Sequence, residues 1–256
     1  MPRSGTSFLG QLLNSSPDVT FRMEPIFSYC MKNQIDQASS KEEYLDFFQR
    51  CLAIQDDFMN QEDKRKVGSY PTFEKKTNST LVFKTTRFHQ ILDNLLSKLQ
   101  MDIKLIFLVR NPCGAINSWL KHPNEFPQGL DKAGQWRSGA CRKTAPEEFW
   151  GFNDWLKTTA QFERISKNFP NTKIVKYETL VHNLLPEAEK IFRFLDLAIT
   201  EQTKSFIRQS QDTNNADPYS VFKYKSVTAD WEKELDLKIQ NEIFHDLKQH
   251  KLETYL

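Results

Sequence analysis

At 256 residues with 39% apolar content, the chain is long enough to bury one sizeable α/β core, and a single domain spanning residues 1–256 is the simplest organisation. Its 35 basic and 33 acidic residues leave a formal charge of +2, too balanced for a protein that holds nucleic acid by bulk electrostatics. No apolar run is long enough to span a bilayer as a helix, and no signal peptide is visible. The first predicted element is a tight turn running into a helix over 7–14, within the sequence PRSGTSFLGQLL. Gly5 lets the backbone approach an oxyanion, and the amides of Gly5, Thr6 and Ser7 open the positive end of that helix. Arg3 adds a fixed cation, while Ser4, Thr6 and Ser7 add hydroxyl donors. Short apolar strands are predicted at 19–23, 81–84, 105–109 and 173–176. Helices are predicted at 42–55, 89–99, 112–120, 148–167, 186–195, 199–209 and 235–248. Two irregular stretches remain, a charged one at 60–80 and a Gly- and Pro-containing one at 121–146, which reads as a functional loop.

Alternation of short strands with amphipathic helices predicts a three-layer α/β/α fold around a mostly parallel sheet, and the phosphate-gripping turn running into a helix is the feature it would share with P-loop folds. A turn of this kind is normally fed by a buried strand, so a first strand is expected ahead of Pro2. Ligands of such sheets bind beyond the carboxyl ends of the strands, where Glu24, Lys84, Arg110 and Tyr177 all fall. The run KLIFLVRNP is especially telling, because a buried-type strand ends abruptly in Arg110. Pro112 then suits the first position of a helix, and Ser118 follows about two turns after Arg110, so both could reach one phosphate.

Together, PRSGTSFLGQLL and LIFLVRNPCGAINS resemble the 5′-phosphosulfate loop and the 3′-phosphate element of sulfotransferases that use 3′-phosphoadenosine 5′-phosphosulfate. The continuation NSSPDVTFRMEP is most similar to the Golgi carbohydrate 6-O-sulfotransferases, and the likeness runs on through KTTR at 84–87 and VKYE at 175–178. The resemblance implies that Arg3, Ser4, Gly5, Thr6 and Ser7 hold the phosphosulfate, and that Arg110 and Ser118 hold the 3′-phosphate. It further implies that Tyr177 lies at the adenine side and that Glu24 is the general base, assisted by Arg3 and Lys84. Arg87 and Trp136 are assigned to the side of a glycan or other hydroxyl acceptor. Lys223 and Lys225 could close over the nucleotide as a basic lid, although the Arg-Lys-Gly segment of the family is replaced here by Tyr224-Lys225-Ser226. The implied setting is the Golgi lumen, as a type II membrane protein if a lone apolar span precedes the chain.

A metal is not required by this chemistry, and no convincing set of carboxylates is present to hold one. The four cysteines lack zinc-site spacing; Cys51 and Cys113 read as packing residues, Cys30 and Cys141 as disulfide candidates. Asn78-Ser79-Thr80 is a glycosylation tripeptide in a polar stretch. A P-loop ATPase or kinase would share the anion-binding logic but lacks its Gly-Lys-Ser/Thr ending here. A tyrosylprotein or small-alcohol sulfotransferase, and a nucleotide-binding protein without turnover, are the remaining alternatives.

Overall fold

Each apolar run becomes a five-residue strand: β1 (Val19–Met23), β2 (Thr80–Lys84), β3 (Leu105–Val109) and β4 (Thr172–Lys176). In the computed structural model, which describes residues 1–76, 80–213, 215, 217, 219–222 and 230–256, they pair as two parallel ladders, β1 with β2 and β3 with β4. The larger helices are α1 (Thr6–Asn14), α2 (Lys41–Ala53), α3 (Leu92–Leu99), α4 (Pro112–Leu120), α5 (Gly151–Asn168), α6 (Tyr177–His182), α7 (Leu184–Phe194), α8 (Glu201–Asp212) and α9 (Leu237–His250). The expected α/β class with parallel strands is therefore the one observed. Two compact units divide the chain, Met1–Gly5 with Lys104–Val181 and Ser226–Leu256, and Thr6–Ile103 with His182–Lys225.

In the unit that begins at Thr6, the β1–β2 register sets Val19 against Thr80 and Met23 against Lys84. Helix α1 lies on this ladder through Phe8, Leu9, Leu12 and Leu13, all buried. Gly10 is what permits the close approach, since a Cβ there would stand 2.6 Å from the Phe21 ring. Ser40 and Glu43 form a reciprocal capping box that starts α2. At the other end of α2, the buried Arg22 of β1 donates to the carbonyls of Cys51 (2.9 Å), Leu52 (3.0 Å) and Ile54 (3.0 Å) and to Asn60 Oδ1 (2.9 Å). These are the carbonyls a helix end leaves without partners, so the cation also meets the negative end of the helix dipole.

In the other unit, the β3–β4 register sets Leu105 against Thr172 and Val109 against Lys176. Phe107 stacks on Phe162 of α5 with ring centroids 4.2 Å apart, fixing that helix on the ladder. Asn111 caps α4 by accepting from the amides of Cys113 (2.9 Å) and Gly114 (3.3 Å), with Pro112 in the first turn as its fixed φ favours. Trp119, Trp150, Phe152 and Trp155 are buried together around α4 and α5. Cys51 and Cys113 are fully buried thiols pushed up to about 12 by burial, which is the packing role expected of them. Cys30 and Cys141, expected as disulfide candidates, are both free.

Candidate active site

The strand-end residues divide between the two units, and each unit assembles its own cluster. In the unit containing Met1–Gly5, the loop backbone turns through left-handed conformations at Arg3 (φ 59°) and Gly5 (φ 82°). A Cβ at Gly5 would stand 2.3 Å from the Tyr177 ring, so both the turn and the contact demand glycine. Arg110, directly after β3, donates from Nη1 to the Arg3 carbonyl (3.0 Å), and its guanidinium sits 4.9 Å from the centroid of the Tyr177 ring. Trp155 Nε1 donates to the Arg110 carbonyl (3.0 Å), and the Asn111 amide donates to Glu178 (3.1 Å), which together fix the chain leaving β3. Arg3 Nε donates to Ser118 Oγ (3.2 Å), and Arg3 Nη1 lies 3.5 Å from a Glu125 carboxylate oxygen. The loop, Arg110 and Ser118 are thus one cluster, with Arg3 reaching both of the others. Ser4 is fully buried, and its hydroxyl has no hydrogen-bond partner among the described residues; the same holds for Arg110 Nε.

In the other unit, Thr6 and Ser7 open α1, where the first amides of a helix have no intrahelical acceptor. Glu24 follows β1 and Lys84 ends β2, and because the register pairs Met23 with Lys84, Glu24 lies one residue beyond it. Lys84 Nζ lies 3.1 Å from Glu24 Oε1. Thr86 donates its hydroxyl (2.7 Å) and its amide (3.0 Å) to Oε1, with the amide 3.2 Å from Oε2. Burial alone would raise the Glu24 pKa, but the Lys84 ammonium, the Thr86 hydroxyl and the Arg87 cation outweigh it and hold the carboxyl below its ordinary value. Glu24 is therefore a buried, fixed carboxylate. Its backbone is left-handed, φ 45°, although a residue before proline favours the extended region. Glu24 thus does not take the extended conformation that a following proline favours. Such a φ costs about 1–3 kcal/mol at a bulky residue and persists only where surroundings impose it. Here the Glu24 amide donates to the Lys84 carbonyl (2.8 Å), while its carbonyl accepts from Phe27 and Ser28 (both 3.0 Å).

Residues 1–255 match the sulfotransferase domain family. The chain belongs to that family. Among solved structures it is similar to mouse sulfotransferase SULT7A1, whose crystal structure is a complex with PAP; identity is 19% and the TM-score 0.57, over 98% of this chain and 81% of that one. It is also similar to sulfotransferase STF9 from Mycobacterium avium, at 16% identity and a TM-score of 0.46, over 97% of this chain and 74% of that one. The likeness to the mouse enzyme is one of fold. A comparison with curated protein sequences finds no significant match.

One residue, Trp136, stands differently from expectation. Trp136, assigned from its loop position to an acceptor cleft, is only 5% exposed, stacked 5.7 Å from Phe152 with the Arg137 guanidinium 4.6 Å from its centroid. It is a packing residue, because Arg137 is itself tied to Glu242 (3.1 Å) and Asp246 (2.6 Å) of α9 and pins the loop down over the ring. Lys223, Lys225 and Asn78 lie outside the described residues. Among the described residues, no group of three or more His, Cys, Asp or Glu is arranged to hold a metal ion. Sequence reasoning missed Thr86 and Glu125. Thr86 stands inside the KTTR segment, where a hydroxyl two residues after a strand-end lysine is the only signal. Glu125 has none, since its role depends on the chain turning back at His122 to meet Arg3.

Proposed function

We propose that this sulfotransferase moves a sulfuryl group from 3′-phosphoadenosine 5′-phosphosulfate to a carbohydrate hydroxyl, most simply a 6-hydroxyl. The observation that carries the donor assignment is the pair of buried polar groups without a hydrogen-bond partner among the described residues, Ser4 Oγ and Arg110 Nε, beside the left-handed Gly5 loop. Each such group costs about 1–3 kcal/mol unless something pairs with it, and an oxyanion ligand supplies acceptors to both. Family membership and the PAP complex of the mouse relative support the same donor.

In this reading Arg3, Ser4, Gly5, Thr6 and Ser7 hold the phosphosulfate, while Arg110 and Ser118 recognise the 3′-phosphate. Tyr177, packed on Gly5 and Arg110, holds the loop's shape at the nucleotide side. Glu24 accepts the acceptor's proton as the hydroxyl oxygen bonds to sulfur. The bond from sulfur to the 5′-phosphate oxygen breaks at the same time, and 3′-phosphoadenosine 5′-phosphate leaves. Oε2 is the oxygen with more capacity to spare, because Oε1 takes Lys84 and both Thr86 donors while Oε2 only shares the Thr86 amide. Lys84 and Arg3 oppose the charge that develops on the leaving oxygen. A low pKa keeps Glu24 ionised and ready at neutral pH, while limiting its strength as a base.

Transfer of radiolabelled sulfate to neutral glycans, acidic glycans, tyrosyl peptides and small alcohols, beside calorimetry with PAP, tests the reading. Transfer to a peptide or small alcohol alone overturns the carbohydrate assignment, and PAP binding without any turnover identifies a silent nucleotide-binding protein. The Golgi lumen is the corresponding location, checked by protease protection of the tagged full-length protein in sealed vesicles.

A further inference from the structure

The exit of α1 is held by a cation from a distant part of the chain. Lys75 is exposed as a residue, yet its ammonium turns inward. It donates to the Asn14 carbonyl, to Asn14 Oδ1 (2.8 Å), and to the carbonyls of Ser16 (3.1 Å) and Val19 (2.9 Å). None of these oxygens is a carboxylate. Loss of water around the ammonium lowers its pKa to about 8, so the charge is held there against its own solvation. Helix α1 gives that charge a use, because its last turn has no basic residue of its own and its first turn no acidic one. Lys75 supplies the cation that opposes the negative end of the helix, while the positive end stays clear for an anion.

Neighbouring bonds make the hold directional. The Glu74 amide donates to Gln202 Oε1 (2.9 Å), Gln202 Nε2 donates to the Ser15 carbonyl (2.7 Å), and the Lys76 amide donates to the Pro17 carbonyl (2.9 Å). Apolar contacts along α1 can slide, whereas hydrogen bonds at its exit fix where the helix stops along its axis. Thr6 and Ser7 open the same nine-residue helix, roughly 13 Å away by the rise of a helix, so an exit that shifts carries their amides with it.

We propose that Lys75 is a positioning residue for the 5′-end of the donor, pinning the far end of α1 so that the Thr6 and Ser7 amides stand where the phosphosulfate docks. The inference rests on the donor reading above and goes beyond it by assigning control of one phosphate to a residue that touches neither. The 3′-phosphate gives an internal control, because Arg110 and Ser118, proposed to hold it, belong to the other unit.

The test measures, by calorimetry on the full chain, the affinities for PAP, adenosine 3′-phosphate and adenosine 5′-phosphate. In wild type each phosphate should add affinity. Lys75→Met should cut the gain from the 5′-phosphate, read as PAP over adenosine 3′-phosphate, by roughly tenfold, the scale of losing a charge-assisted contact. The gain from the 3′-phosphate, read as PAP over adenosine 5′-phosphate, should change by less than about twofold, as for an independent site. Lys75→Arg, which keeps the charge and the donors, should restore most of the 5′ gain. Lys41→Met, which breaks an exposed ion pair with Asp102 (2.8 Å) in the same unit, should change neither ratio. If Lys75→Met does not melt cooperatively, Gln202→Leu, which releases the Ser15 carbonyl and the Glu74 amide, should show the same 5′-selective loss. Equal loss from both ratios, an unchanged 5′ gain, or no recovery in Lys75→Arg would each overturn the positioning role. Wild type that binds PAP no better than adenosine 3′-phosphate would instead remove the donor reading, and this inference with it.

Discussion

Glu24→Gln separates the chemistry proposed for Glu24 from its structural work, because the carboxylate does both. Gln keeps the shape and one oxygen for the Thr86 donors at 2.7 and 3.0 Å, but it removes the charge facing Lys84 at 3.1 Å. Leaving one member of a buried ion pair alone costs about 3–5 kcal/mol. The variant should therefore melt at a clearly lower temperature, and Glu24→Gln with Lys84→Met should recover much of that loss, since both charges are then gone. Transfer should not recover. Loss of the base lowers kcat by roughly 10²- to 10⁴-fold, or about 2.7–5.5 kcal/mol of activation free energy. PAP affinity, measured by calorimetry on the folded variant, should hold. The pH dependence has a definite sign, because the Glu24 pKa is depressed on folding from an ordinary 4.5. Its stabilisation is complete above the unfolded value and is lost as pH falls through the depressed folded one. The transfer rate of wild type should accordingly show no acid limb from Glu24 at or above the ordinary carboxylate range. Near-wild-type transfer by Glu24→Gln, or a rate restored along with stability in the double variant, would refute a base at this position.

Arg110→Ala should remove most of the preference for PAP over adenosine 5′-phosphate, a loss of about 1.5–3 kcal/mol that competitive calorimetry reads directly. Gly5→Ala has no room, with a Cβ 2.3 Å from Tyr177 and φ at 82°, so the thermal shift given by PAP should vanish even where the protein still melts cooperatively. Native protein should expose two thiols of four to a thiol reagent, Cys30 and Cys141, with Cys51 and Cys113 reacting only in denaturant; reaction of all four in the native state would contradict their burial. Glu125→Gln should tighten PAP binding and slow its release in stopped-flow exchange, since the group 3.5 Å from Arg3 Nη1 is then neutral.

Much of the fold was legible because strand and helix periods leave local marks. β1, β3 and α4 fall within the predicted limits, each bounded by a sharp change from apolar to polar or by a capping residue. Helix α6 was missed because it starts at Tyr177, directly after the last residue of β4, without a break to announce it. Strand-end placement of Glu24, Lys84, Arg110 and Tyr177 was equally legible, since each follows from where an apolar run stops. What stayed hidden depends on distant parts of the chain. Trp136 is a loop residue by sequence, and only Phe152 and the Arg137 tie to α9 make it core. The positive φ of Glu24 opposes its local preference, so it is set by the turn's hydrogen bonds and the β2 carbonyl that closes on its amide.

The carboxylate of Glu125 beside Arg3 bears on timing more than on strength. An anion reaching that guanidinium exchanges places with a resident partner, so arrival brings less net gain than the charge of Arg3 suggests, and departure is met by a replacement already tethered nearby. A transferase must discharge its spent nucleotide once every cycle, and an internal competitor shortens that wait. On the proposed reading, the loop that holds the donor thus carries, in its own fold, the means of letting the remnant go.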